Sequence, residues 1–225
     1  MYVYAVLEAP IAVPRRLRAI VEVMPLAGVF VALERMAERP RLSEDALRRQ
    51  HDIVVALHRS TDAILPVRFG ALLDVDELIE VIRLRRTILA RALARVRGCE
   101  QMTIRIFGPS APQREPVIAS PSGIDYLRQR AASARPTLTA GARQIVGAVA
   151  SLATAQTIDV GRGEVQVTIN HLVRRGVGGR YRRLVISRAA TMAPAPKVAV
   201  SGPWPPFAFA PDIWSPDSVP ASANE

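Results

Sequence analysis

The sequence predicts an α+β fold of two small sheet-plus-helix domains followed by an extended C-terminal tail. Three observations carry this. Short β-branched runs alternate with capped, amphipathic helical stretches over residues 1–108. A stretch with four prolines and no periodicity, residues 109–121, separates them from a second set of alternations over 122–201. Residues 202–225 then turn rich in proline and aromatic residues.

In chain order, Tyr2 to Leu7 is apolar and β-prone and reads as the first strand. Leu17 to Val23 and Ala27 to Leu33 read as a hairpin around Pro25 to Gly28. Ser43 caps a helix with Glu44 and Asp45 in its first turn, where negative charge suits the dipole. Ala46, Leu47, Gln50, Ile53, Val54 and Leu57 recur at helical spacing and define its core face. Ala63 to Leu73 reads as a strand, and Pro66 within it argues for an edge position. Asp74-x-x-Glu77 has the layout of a capping box and opens the longest helix, which Gly98 ends. Thr103 to Phe107 is the next strand.

Beyond the linker, a helix runs through Tyr126, Leu127 and Arg130 until Pro136 breaks it. Thr137 or Thr139 starts another, with Ile145, Val149 and Leu152 on one side. Val165, Val167 and Ile169 alternate with Gln166, Thr168 and Asn170, the pattern of a strand burying one face. Tyr181, Leu184, Val185, Ala189 and Met192 recur as a helix, and Lys197 to Val200 is the last strand. After it, Ser201 to Phe209 holds three prolines and three aromatics in nine residues. Leaving the strand at Gly202 and running on as polyproline II, it would carry Trp204, Phe207 and Phe209 as apolar anchors for the chain's own body or a partner.

Composition narrows the function. With 49% hydrophobic residues the chain folds. A single cysteine, Cys99, excludes an internal disulfide and suits a reducing cytoplasm. The N-terminus lacks a basic n-region. The longest helical uncharged run, Gln144 to Ile158, is shorter than the ~20 residues a membrane span needs. His51, His58, His171 and Cys99 have no metal-ligand spacing, so no metal is expected. No phosphate loop, dinucleotide fingerprint or nucleophile elbow occurs, and no cofactor or catalytic residue is expected. Gly176-Val177-Gly178-Gly179 reads as a turn rather than an anion site.

The net charge of +10 suggests an acidic partner, but Lys197 is the sole lysine and the arginines run along helices that also carry acids. Arg174, Arg175, Arg180, Arg182 and Arg183 form a dense cluster without acids. Aromatics for base stacking are scarce, which argues against nucleic acid as the partner.

Several segments, in order along nearly the whole chain, carry a resemblance. They are Met1-Tyr2-Val3-Tyr4, His51 with its helical run, Leu65-Pro66-Val67-Arg68-Phe69-Gly70, Gly98-Cys99-Glu100, Gly123 to Arg130, and Gly202-Pro203-Trp204-Pro205-Pro206. Together they resemble the gas vesicle accessory proteins of the GvpF/GvpL family. The tail departs from the family pattern, with Phe207-Ala208 in place of the usual Tyr-Ser. The resemblance implies a ferredoxin-like N-terminal domain. It also implies a minor, non-enzymatic gas vesicle protein of the cytoplasm that binds the apolar shell protein, and other accessory proteins with it, and limits its aggregation. Candidate contact residues are Pro66, Arg68 and Phe69 on the edge strand, and Trp204, Phe207 and Phe209 in the tail. Two other readings stay open: an α+β ligand-binding or enzymatic domain, and an Arg-rich nucleic-acid-binding module.

Overall fold

The computed structural model describes residues 1–108, 138–160 and 164–214. The linker at 109–121 and the helix expected through Tyr126 lie outside the described residues. The chain divides into two compact units, Met1–Glu100 with Trp204–Glu225, and Gln101–Pro203.

The first unit is a four-stranded sheet with two helices. Strands β1 (Tyr2–Leu7), β2 (Glu22–Leu26), β3 (Val29–Glu34) and β4 (Ile64–Pro66) lie in the order β2-β3-β1-β4, every neighbour antiparallel. The hairpin is shifted from expectation. Leu17 belongs to a 3-10 turn, Arg15–Leu17, and the strand starts only at Glu22. Leu26 pairs with Val29, so the turn is two residues, Ala27 and Gly28, both at positive φ. That geometry follows the right-handed twist of the strands. β4 is three residues rather than eleven; beyond it Val67, and then Ala71 to Leu73, return to bond the first strand, with Leu72 bridging Tyr2. It is an edge strand, where a proline's missing N–H costs no ladder bond.

Helix α1 (Glu44–His58) starts where Ser43 Oγ accepts the Ala46 N–H at 3.1 Å. Helix α2 (Val75–Val96) starts in a complete capping box: Asp74 Oδ1 accepts Glu77 N–H at 2.7 Å and Glu77 Oε2 accepts Asp74 N–H at 3.1 Å. Satisfying these otherwise orphaned donors fixes both starts. Ile53, Val54 and Leu57 of α1 pack with Tyr2, Tyr4, Leu7 and Ile64 in one core. Leu78, Ile82, Leu89, Leu93 and Val96 form the buried stripe of α2.

The second unit repeats the plan with different strands. β5 (Cys99–Phe107), β6 (Ala153–Val160), β7 (Val165–Arg174) and β8 (Lys197–Trp204) lie in the order β6-β7-β5-β8. Helices α3 (Ala140–Val149), capped by Thr139, and α4 (Gly178–Ala190) bury Ile145, Val149, Tyr181 and Val185 against Met102, Ile104, Val167 and Ile169. The last strand does not stop at Val200. It runs through Gly202 and Pro203 to Trp204, because β8 is an edge and tolerates the proline. Gly202 sits at φ +114°, and a Cβ there would lie 2.6 Å from the Gln101 carbonyl oxygen and 2.9 Å from Met102 Sδ. Only glycine lets β8 approach β5 this closely.

Candidate partner interface

A buried hydrogen-bond chain sets the loop after β4. Gln50 Nε2 of α1 donates to the Val67 carbonyl at 2.8 Å, and the Tyr2 hydroxyl donates to Gln50 Oε1. Gly70, at φ +90°, turns the chain so that its N–H reaches Tyr2 Oη at 3.2 Å. The opening Met-Tyr-Val-Tyr, the first helix and Pro-Val-Arg-Phe-Gly are thus one connected structure. Each buried partner is satisfied, so loss of one would leave another unpaired. Tyr4 Oη donates to Glu34 at 2.5 Å, and Arg49 holds the same carboxylate at 2.9 Å. Burial and then the Glu34 hydrogen bond raise the Tyr4 phenol's pKa.

This frame places the first three candidate residues differently. Pro66 is buried in β4 opposite Ala5. Phe69 is half-buried, its ring edge-on to Tyr2 at 6.3 Å. Arg68 points outward with 79% of its side chain exposed and pairs with Asp212 at 2.9 Å.

The aromatic segment is docked. Trp204 meets the His51 ring edge-on at 5.3 Å, and Phe207 stacks on the same imidazole at 6.0 Å and 15°. Phe209 is buried beneath the Arg95 guanidinium, 5.4 Å from its ring centroid, a cation–π arrangement. Of the expected extended tail, Gly202 to Trp204 are extended within β8, and the run does not continue as polyproline II through Phe209; the residues beyond Trp214 lie outside the described residues. After Pro205 the backbone tightens into a 3-10 turn, Phe207–Phe209, where Phe207 N–H bonds the Pro205 carbonyl at 2.8 Å. The turn also packs beside β4. Sequence alone identified the anchors but not their receptor, because the spacing of His51 and Arg95 along two helices says nothing about the third element they face.

Against this segment α2 leaves an open groove of about 430 Å³, lined by Ile88, Ala92, Arg95, Phe209 and Pro211 among others. Ile88 and Leu84, one turn earlier on the same flank, are 44% and 63% exposed. This exposed apolar flank lies beside the buried stripe of α2, and it becomes a groove only through the segment packed next to it. The groove offers aliphatic and aromatic surface rimmed by guanidinium groups, which suits apolar surface with acidic edges. Among the described residues no group of His, Cys, Asp and Glu is placed to hold a metal ion. His58 Nε2 lies 3.4 Å from the Cys99 carbonyl, a structural contact.

In the second unit the polar side chains that are buried serve the fold. Thr103 donates to Asn170 Oδ1 at 2.8 Å, and Gln101 Nε2 donates to the same oxygen at 3.1 Å. His171, fully buried, lies 3.1 Å from Gln156 Oε1 through Nε2 and 2.5 Å from Tyr181 Oη through Nδ1. An amide oxygen only accepts, so Nε2 carries the proton and Nδ1 accepts from the tyrosine. Burial lowers the His171 pKa to about 4 and raises that of Tyr181, so this link between β7 and α4 is neutral. The loop Gly176 to Gly179 forms the turn that starts α4.

These features define a class: an α+β protein of two four-stranded sheets that offers exposed apolar and arginine-rich faces. The family described as gas vesicle synthesis protein GvpL/GvpF matches residues 1–211, and the chain belongs to that family. Two crystal structures share the fold. The gas vesicle protein GvpF from Microcystis aeruginosa superposes with a TM-score of 0.69 at 14% identity, over 93% of this chain and 98% of that one. GvpF from Anabaena sp. PCC7120 superposes with a TM-score of 0.69 at 16% identity, over 93% of this chain and 95% of that one. No curated protein matches the sequence. No helix among the described residues is long and apolar enough to cross a membrane.

Proposed function

We propose that this gas vesicle protein is a non-enzymatic assembly factor of the cytoplasm, which binds the small apolar shell protein and limits its aggregation before the vesicle wall is built. One observation carries the reading: exposed Leu84 and Ile88 flank an open groove floored by Phe209, in a member of a gas vesicle synthesis family. A shell subunit outside the wall exposes apolar surface and strand edges that self-associate, and an apolar groove occupies such surface temporarily. In this proposal the groove, exposed Phe207 and Arg68 form the contact surface. Pro66, Phe69, Trp204 and Phe209 hold that surface in shape from beneath. The binding requires no cofactor.

Co-expression with the shell subunit tests it. The intact protein should raise the subunit's soluble fraction and co-purify with it, and Leu84→Asp/Ile88→Asp should abolish both while leaving its own solubility intact. If the intact protein neither raises the soluble fraction nor co-purifies, the assembly-factor reading is wrong. If the double variant works as well as the parent, the groove is not the contact.

A further inference from the structure

The second unit carries an exposed surface of different chemistry, on the outer face of α4. We propose that this face docks an acidic, amphipathic helix of a partner protein. The inner face of α4 is committed to the fold through Tyr181, Val185 and Ala189. The outer face centres on Ile186, which is 57% exposed. Arg183 and Arg182 stand three and four residues before it, one turn away, and Ala190 four residues after it. Arg180 adds a further exposed cation, and Arg174 lies just before the turn into the helix. Arg182 bonds the Gly202 carbonyl at 2.8 Å.

Among the described residues no carboxylate is in ion-pair contact with Arg174, Arg180, Arg182 or Arg183. The described part of this unit has two acids, Asp159 and Glu164. Asp159 accepts a hydrogen bond from Asn170 at 3.2 Å. Among the described residues these four cations therefore have no acidic partner within the unit, and charge complementarity calls for one from outside. An exposed isoleucine one turn from Arg182 and Arg183 selects a partner that also brings apolar side chains at helical spacing. Arginine stems would cover the edges of that contact while their heads meet carboxylates. Nucleic acid fits less well. It would use the arginines and leave Ile186 idle, and the one aromatic of α4, Tyr181, is buried and offers no base a stacking platform.

Fluorescence polarisation with the full chain and a labelled synthetic helix of leucine–glutamate heptads tests this, with a short duplex DNA as competitor. The peptide should bind. Arg180→Glu/Arg183→Glu should weaken binding by about tenfold or more, since reversal replaces attraction with repulsion. Ile186→Ser should weaken it by about fivefold, the loss of one partly buried aliphatic contact. The altered side chains are exposed, and circular dichroism confirms that each variant is folded; Arg180→Gln/Arg183→Gln serves if the reversal is not. Absence of peptide binding, equal binding by the arginine variants, indifference to Ile186→Ser, or tighter binding of DNA than of peptide would each overturn the proposal. None of these outcomes bears on the α2 groove, so the two readings fail separately.

Discussion

The two units are built alike, a four-stranded sheet with helices, yet they handle charge in opposite ways. Residues 101–203 carry 14 Arg and Lys against 4 Asp and Glu, a net +10, while the rest of the chain carries 16 against 16. The first unit spends its cations on itself, in the pairs Arg35–Glu22, Arg49–Glu34, Arg68–Asp212 and Arg97–Glu8. In the second, among the described residues, Arg174, Arg180, Arg182 and Arg183 are exposed with no carboxylate in ion-pair contact. The protein's whole net charge is thus a property of one unit, and an average over the chain hides it. Net charge argues about partners only at the level of the surface that bears it.

Three substitutions sharpen the contrast. The largest effect belongs to Gly202→Ala. A Cβ there meets backbone of β5 at a distance no side chain tolerates, and the positive φ adds strain. The expected loss is about 3 kcal/mol in denaturant unfolding. An unchanged midpoint would show that β8 shifts freely from β5.

Next comes the acid response of His171. Its folded pKa lies below that of an unfolded histidine, so the unfolded chain takes up the proton first as pH falls. The stability this neutral imidazole contributes is complete above about pH 6.5 and declines as pH falls toward about 4. Between pH 7 and pH 5 it should cost about 2 kcal/mol, and His171→Gln should flatten that part of the stability–pH profile. An equal slope in the variant would assign the acid response to other groups.

The smallest effect is expected in the first unit. Arg68→Ala breaks a solvent-exposed ion pair and should change stability by no more than about 0.5 kcal/mol. A loss several times larger would mean that the pair, rather than the aromatic anchors, holds the docked segment.

Local chemistry was legible where it acts over three or four residues. Ser43, Asp74 with Glu77, and Thr139 cap the helices they were expected to cap. Pro66 marked a strand at a sheet edge, and the alternation from Val165 to Asn170 marked a strand, although Ile169 to Val173 are buried on both faces rather than one. Boundaries that depend on a partner were not legible. β5 begins at Cys99, four residues before the expected start at Thr103, as a central strand with neighbours on both sides. β8 passes through a glycine and a proline that locally signal a stop, because its outer edge needs no donor.

The interface divides along the same line. Trp204, Phe207 and Phe209 could be named as anchors from stiffness and apolarity. Their seat on His51 and Arg95, and the groove left beside it, depend on contacts across more than a hundred residues. Sequence spacing holds no record of such distances.

The first unit includes both the opening hundred residues and the segment from Trp204 onward. A ribosome must therefore translate through the whole second unit before the earliest helices receive their final cover. Until Trp204 and the aromatics after it emerge, His51 and the flank of α2 around Arg95 face solvent on the nascent chain. Messages cut short anywhere in the second unit would yield a product whose first sheet is written in full but whose greasy side stays bare.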